Sequence, residues 1–341
     1  MPSNQLSDTL NPYQWKGAIT IEIIRPESHN HHALTRLIAR LPKQHEKYPN
    51  ILEKLDQTNA GYYGELRADR FIEEVQFPQQ VHIIPDLHFR LHNKRHIQID
   101  TLILTKSYIL ITEIKNITGT LQFKEYPNKL VRIVDQEEKP FDCPLIQLDR
   151  NCDGISKILT MLNVKIPIHQ ALVFPSQKTL IENAPKNRNI FFVKQFPLFI
   201  QKLNILPPVL TENEFIQLGN KLISVNKNFT PKPLCESLKI NSEDLKKGVL
   251  CKQCSATLIR KSLRTWLCSA CKSIDTNPIP RNIEDLFLLI KLNISIKDCM
   301  HYLQINSRYT IYNSLQKMQL EKRGHKRSTK YTRINKPITI K

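Results

Sequence analysis

The alternation of apolar and polar side chains is strongest between residues 58 and 165. Over 64–75, Leu66, Phe71 and Ile72 are apolar while Glu65, Arg67, Asp69, Arg70 and Glu73 are polar, a spacing that predicts a helix. Short apolar runs follow at 81–84, 97–104, 108–115, 121–123 and 130–134, and each predicts a strand. Thr105-Lys106-Ser107 joins the second and third of these at hairpin length. A longer helical pattern spans 145–162, with further strands at 171–174 and 190–193. Residues 1–57 read as an N-terminal extension, with a strand pattern at 18–24 and a helical one around 33–41. The stretch 226–248 is weakly patterned and bears prolines and lysines, so it reads as a linker. The richest apolar runs, 102–114 and 283–296, are broken by Lys106 and Lys291. They fall short of the ~18–20 residues a membrane helix needs. The first residues lack the basic start and apolar core of a signal peptide, which predicts a cytoplasmic protein with no membrane partner.

Charge changes the picture at the C-terminal end. The chain of 341 residues carries a formal +19, and residues 251–341 hold 18 Lys and Arg against 5 Asp and Glu. After Glu321 no acid remains, while Lys322, Arg323, Lys326, Arg327, Lys330, Arg333, Lys336 and Lys341 follow. The asymmetry predicts a polyanionic partner at this end, although a basic tail alone also reads as a solvated, disordered end. Within 281–341, Ile283, Leu286, Phe287 and Ile290 mark one helix, and Ser295 and Ser307 are placed to cap two more, through about 303 and 318. Helix, short turn and helix, with Arg308, Tyr309, Tyr312 and Asn313 early in the second, is a helix-turn-helix-like pattern for DNA. A three-helix bundle for protein contacts has the same pattern. The expected DNA contacts are Arg308, Tyr309, Asn313, Lys322, Arg323, Lys326 and Arg327. RNA fits less well, because few aromatic residues are interleaved for base stacking.

Cysteine spacing adds a metal centre within 249–275. Cys251-x-x-Cys254 and Cys268-x-x-Cys271, thirteen residues apart, match the spacing of a four-cysteine zinc site. The intervening apolar and basic residues fit a hairpin, making a zinc ribbon whose Zn²⁺ is structural, since four sulfurs leave no open position. Cys143, Cys152, Cys235 and Cys299 are scattered and read as small buried thiols. His88, His92 and His96 recur every four residues, but their flanks suit a strand followed by a loop rather than a ligand-bearing helix. The His29–His32 run also reads as loop.

Candidate catalytic chemistry lies in the strands at 97–104 and 108–115. Residues two apart in a strand share a face, so Glu113 and Lys115 point the same way at the end of an apolar run. Asp100 is a second acid in an apolar run, placed to meet Glu113 across the hairpin on one hard divalent cation. By spacing alone, Glu113 and Lys115 also fit a plain surface ion pair.

These residues belong to an ordered series: Gly61-Tyr62-Tyr63-Gly64-Glu65, Gln98-Ile99-Asp100, Glu113-Ile114-Lys115-Asn116 with Gly119, and Pro144-Leu145-Ile146-Gln147-Leu148-Asp149-Arg150. The series resembles the nuclease-related domain (NERD) family, which is similar to the PD-(D/E)xK nucleases. The resemblance covers about 58–165, inside a domain expected over 58–225. It implies an α/β fold with a mixed central sheet flanked by helices and a catalytic Mg²⁺ or Mn²⁺ at the hairpin. Glu65 matches the helix acid, Asp100 the first strand acid, Glu113 and Lys115 the E-x-K pair, and Gln147 a positioning glutamine. Asp100 and Glu113 would hold the metal. The superfamily's Pro-Asp pair reads Ile99-Asp100 here, and Pro85-Asp86 lies further upstream than the pattern asks. The expectation is a metal-dependent DNA nuclease anchored by its ribbon and helical C-terminus. The alternative is a non-catalytic DNA-binding regulator with a nuclease-like scaffold.

Overall fold

A computed structural model describes residues 22–25, 27–91, 95–226, 231–262, 264–325 and 328–334. Helices α1 (His29–Arg40) and α2 (Tyr48–Glu73) lead into strands β1 (His82–Arg90), β2 (His96–Leu104), β3 (Ile109–Ile114), β4 (Gly119–Glu125), β5 (Asn128–Val134) and β6 (Glu137–Asp142). Then come α3 (Pro144–Met161), β7 (Ile168–Phe174), β8 (Thr179–Glu182), β9 (Ile190–Phe192), α4 (Phe196–Leu203) and α5 (Glu212–Asn226). Among the described residues, 22–25 and 60–226 form one compact unit, the sheet unit, while 27–59 with 231–334 form a second, the ribbon unit.

In the sheet unit, β1, β2 and β3 pair antiparallel, and β7 and β9 extend the sheet in parallel, in the order β1-β2-β3-β7-β9. A parallel neighbour requires a crossover, and α3 supplies it between β3 and β7. The mixed sheet flanked by helices agrees with the expected fold. Ala68, Ile72, Phe196 and Ile200 of α2 and α4 pack with Ile83, Ile103 and Leu110. Leu148, Ile155, Phe215 and Leu218 of α3 and α5 pack with Ile84, Leu102 and Ile111. A second, four-stranded sheet has the order β6-β5-β4-β8.

The helix expected over 64–75 starts sixteen residues earlier, at Tyr48, and runs through Gly61 and Gly64. Glycine weakens a helix but does not forbid one, and at Gly64 close approach explains it. A Cβ there would meet the Asn116 Cβ at 2.5 Å, so only glycine lets α2 sit this near the end of β3. Residues 22–24 of the strand expected over 18–24 have no strand pairing, and 18–21 lie outside the described residues.

The ribbon unit holds α1, the first turns of α2, α6 (Leu234–Leu238) and strands β10 (Leu258–Arg260), β11 (Trp266–Cys268) and β12 (Ile274–Asp275). It continues with α7 (Pro278–Asp285), β13 (Asn293–Ile294), α8 (Ile296–Leu303), α9 (Arg308–Lys317), β14 (Leu320–Arg323) and β15 (Lys330–Arg333). Proline in the first turn opens α7, and a π-helical turn over Leu286–Ile290 continues it. Ser295 and Ser307 cap α8 and α9 as their spacing predicts, accepting from the Asp298 and Thr310 N–H groups. The His29–His32 run, expected as loop, is the first turn of α1, with Ser28 as its cap.

In the basic stretch after Glu321, the described residues 322–325 and 328–334 depart from a disordered end. β14 and β15 form an antiparallel hairpin, and β13 joins its edge in the order β13-β15-β14. Tyr331 anchors it, 2% exposed in a core that also takes Leu303, Ile311 and Leu315. A single buried tyrosine among charges is too faint a periodicity to announce a strand. No helix among the described residues is long and apolar enough to cross a membrane.

Candidate functional site

The acids of the sheet unit are gathered by strand register. One step beyond the Thr101–Thr112 pair, Asp100 lies across from Glu113. Asp86 sits between the Pro85–Thr101 and Leu87–Ile99 pairs, across from Asp100 on the other side. Both β1 and β2 change face here. Ile84 and Leu87 enter the same apolar core, as do Ile99 and Leu102, although residues three apart on a regular strand face opposite ways. Asp86, at φ 49°, supplies the irregular backbone on β1. Short polar side chains such as Asp tolerate this left-handed conformation better than most. Pro85-Asp86, remote from Asp100 along the chain, therefore reaches the same place. Strand register was the signal that would have identified it.

Glu113 is fully buried. Its Oε1 lies 2.5 Å from Lys115 Nζ, and its Oε2 has no hydrogen-bonding partner. The Lys115 N–H donates to the Val173 carbonyl at 3.0 Å, which continues the β3–β7 ladder one residue and fixes where the lysine departs. Lys115 Nζ also donates to Gln147 Oε1 at 3.4 Å, so α3 supplies the lysine's second partner. Asp100 Oδ2 accepts from the Ile114 N–H at 2.7 Å. Glu65, on α2, accepts from Arg25 Nη1 at 2.9 Å. The five sequence-matched residues, Glu65, Asp100, Glu113, Lys115 and Gln147, thus lie in one linked polar cluster. The residues that sequence reasoning did not assign to it are Arg25, Asp69 and Asp86.

Electrostatics follow from that crowding. Burial, with the Asp100 charge second, pushes both Glu65 and Glu113 up to about 8, against the pull of Arg25 and Lys115 respectively. Burial likewise raises Asp100, despite Lys115 and the Ile114 N–H. For Lys115, burial opposes the charge, but Glu113 and Asp100 outweigh it and hold the ammonium above its ordinary value. A buried carboxylate oxygen without a donor, beside two more acids, is a donor set that suits a hard divalent cation. Asp86 is held below the usual carboxylate range despite its burial, chiefly by His88, whose Nε2 lies 2.7 Å away. Of the three spaced histidines, His88 is on β1, His96 opens β2, and their rings are 5.4 Å apart. His92 lies outside the described residues.

In the ribbon unit, the sulfurs of Cys251, Cys254, Cys268 and Cys271 all lie within 4.8 Å of one another. Each C-x-x-C turn closes on a residue of positive φ, Ser255 at 58° and Lys272 at 60°, whose N–H donates to the carbonyl of the turn's first cysteine. The β10–β11 hairpin joins the two turns, and β12 adds a third strand. The geometry agrees with the expected ribbon, and the four-sulfur set fits zinc. Among the described residues, no other group of three or more His, Cys, Asp or Glu brings its ligand atoms this close. The acids of the sheet unit are neighbours without converging on one point.

The expected nucleic-acid residues fall on two elements. On α9, Arg308 and Tyr309 are exposed, the tyrosine at 74%, and Asn313 is half-buried. On β14, Lys322 and Arg323 are exposed, with Arg323 paired to Glu321 at 2.9 Å. Lys326 and Arg327 lie outside the described residues. Of the remaining thiols, Cys143, Cys235 and Cys299 are buried and Cys152 half-buried.

Comparison with known proteins adds one match. The family model described as nuclease-related domain matches residues 60–175, the stretch that carries Glu65, Asp100, Glu113, Lys115 and Gln147. Comparison with curated proteins and with solved structures finds no match.

Proposed function

We propose that the nuclease-related domain is a divalent-cation-dependent DNA nuclease, with Asp100 and Glu113 as the metal-holding acids. The observation that carries this reading is Glu113, fully buried with one unpartnered oxygen and with Asp100 across the ladder. Burying carboxylates in this way is costly unless a cation compensates them. A bound Mg²⁺ or Mn²⁺ would polarise the scissile phosphate and lower the pKa of an attacking water. Lys115, held by Glu113 and Gln147, directs its ammonium at the charge that develops on the phosphoryl oxygens. Glu65 supplies a further carboxylate beside that charge. The four cysteines hold a structural Zn²⁺, and α9 with β14 presents Arg308, Tyr309, Asn313, Lys322 and Arg323 to DNA.

A second reading, a DNA-binding regulator with a nuclease-like scaffold, is favoured by the acids' failure to converge as the four sulfurs do. Zinc-loaded protein incubated with plasmid and linear DNA, with Mg²⁺ or Mn²⁺ and with chelator, separates the two. Cation-dependent strand scission supports the nuclease. Tight DNA binding with no scission under either cation supports the regulator.

A further inference from the structure

One cation in the acid cluster comes from outside the stretch that the family model matches. Arg25 arrives on residues 22–25, a segment fastened along α2, where the Ile23 N–H donates to Glu73 Oε1 at 2.7 Å. The Arg25 side chain is 1% exposed. Nε and Nη2 clasp the two oxygens of Asp69 at 2.6 and 2.9 Å. Nη1 donates to Glu65 Oε2 and to the Asp100 carbonyl, both at 2.9 Å. The second Nη2 bond reaches Thr101 Oγ1 at 2.7 Å. A guanidinium has five N–H donors in a fixed plane, and here each has an acceptor.

The clasp on Asp69 alone would neutralise the arginine. The remaining three bonds do something different: they tie the Glu65 carboxylate on α2 to β2, at the Asp100 carbonyl and the Thr101 hydroxyl. The two elements that bring Glu65 and Asp100 to the cluster are thereby held at a fixed separation. Coulomb repulsion between Glu65 and Asp100 would otherwise drive their carboxylates apart.

We propose that Arg25 is a positioning residue of the candidate nuclease site, holding Glu65 beside Asp100, one of the two acids proposed to take a single divalent cation. This rests on the nuclease reading above. A lysine at this position would keep the charge but offer three donors from one point, and it cannot span four acceptor groups. Charge neutralisation and positioning therefore predict opposite results for Arg25→Lys.

The experiment uses full-length, zinc-loaded wild type, Arg25→Lys and Asp69→Asn, each below its melting transition. Mn²⁺ binding is measured by calorimetry, and cleavage is resolved into kcat and KM for DNA. Positioning predicts that Arg25→Lys loses at least about tenfold in kcat and about fivefold in Mn²⁺ affinity, with KM within about threefold of wild type. Asp69→Asn, which breaks the clasp but leaves Arg25 in place, should show the same pattern more weakly. Wild-type Mn²⁺ affinity and kcat in Arg25→Lys overturn the positioning role alone. Should Arg25→Lys lack a cooperative transition, Asp69→Asn decides by the same criteria. A wild type that neither cleaves nor binds Mn²⁺ overturns the nuclease reading and this role with it.

Discussion

In the ribbon unit, four candidate ligand atoms come from two stretches of four residues each, and all lie within 4.8 Å of one another. In the sheet unit, the acids come from α2 and three strands, and Arg25 and Lys115 are set among them. The first centre is complete in its own sequence neighbourhood. Its turns pre-arrange the sulfurs, so a zinc ion bound there would add to folding free energy. The second is assembled by tertiary structure and opposes folding, since Glu65 and Glu113 are pushed up to about 8 by burial and by each other's neighbour Asp100. On the reading proposed above, a structural centre and a reactive one differ in this way: one is satisfied by its metal, the other held under electrostatic stress.

The sharpest way to test that contrast is to remove one acid. Glu113→Gln should lower cation-dependent cleavage by about two to three orders of magnitude, with DNA affinity within a few-fold of wild type. The same substitution should flatten the metal-free dependence of melting temperature on pH between about 5 and 8, because an isosteric amide does not titrate. Cleavage and melting curves on one preparation check both. Activity equal to wild type would remove the catalytic assignment, and a pH dependence of melting equal to wild type would remove the stress argument.

Cys254→Ser should act directly on stability. About one zinc per chain is expected in wild type by elemental analysis, and none in the variant. The ribbon unit should lose several kcal/mol, because metal binding and folding are the same free energy there. The sheet unit has its own apolar cores on both faces of its sheet and should retain cleavage at low salt. Zinc-free native protein with an intact ribbon would refute the centre.

The same difference governs what could be read in advance. The cysteine centre was legible because its ligands and turns are local, and so were the caps at Ser295 and Ser307. The acids were found through ordered motifs, but their neighbours were not. Asp86 joins them only through the β1–β2 register, and Arg25 only through its position along α2. Neither leaves a periodic trace. The early start of α2 was hidden by Gly61 and Gly64, two glycines inside the helix, of which Gly64 serves close packing against Asn116. The β14–β15 hairpin was hidden by its charge, since only Tyr331 marks the buried side.

A milder probe changes the protonation of the acids without changing a residue. Glu65 and Glu113 hold their protons to about 8 in the folded state, against an ordinary 4.5 when unfolded. Between those limits the folded state binds more protons than the unfolded one, so stability falls as pH rises from about 5 to 8. Each group contributes a slope on the order of 1.4 kcal/mol per pH unit at most. Saturating Mn²⁺ should flatten or reverse the slope, because a cation held by Asp100 and Glu113 needs Glu113 ionised. Denaturant melts of chelated and Mn²⁺-loaded protein at pH 5.5 and 8 check this. A chelated protein more stable at pH 8 would contradict the burial of these acids.

The smallest expected effects lie on the exposed basic surface of the ribbon unit, where each side chain acts alone. Arg308 stands at the first turn of α9 and Lys322 on β14, and both are exposed. If each neutralises one phosphate, Arg308→Ala or Lys322→Ala should reduce the log–log salt slope of duplex binding by about 0.9. Arg323 should contribute less, since Glu321 already pairs with it at 2.9 Å. Cleavage at low salt and saturating enzyme should be unchanged, because none of the three belongs to the sheet unit. A base contact would behave differently from a phosphate contact. Asn313→Ala would then cost about 1–3 kcal/mol on one sequence and much less on others. Salt titrations of wild type and the single variants on two unrelated duplexes distinguish these cases. Unchanged slopes in both Arg308→Ala and Lys322→Ala would assign this surface to a protein partner and leave DNA contact to the sheet unit alone.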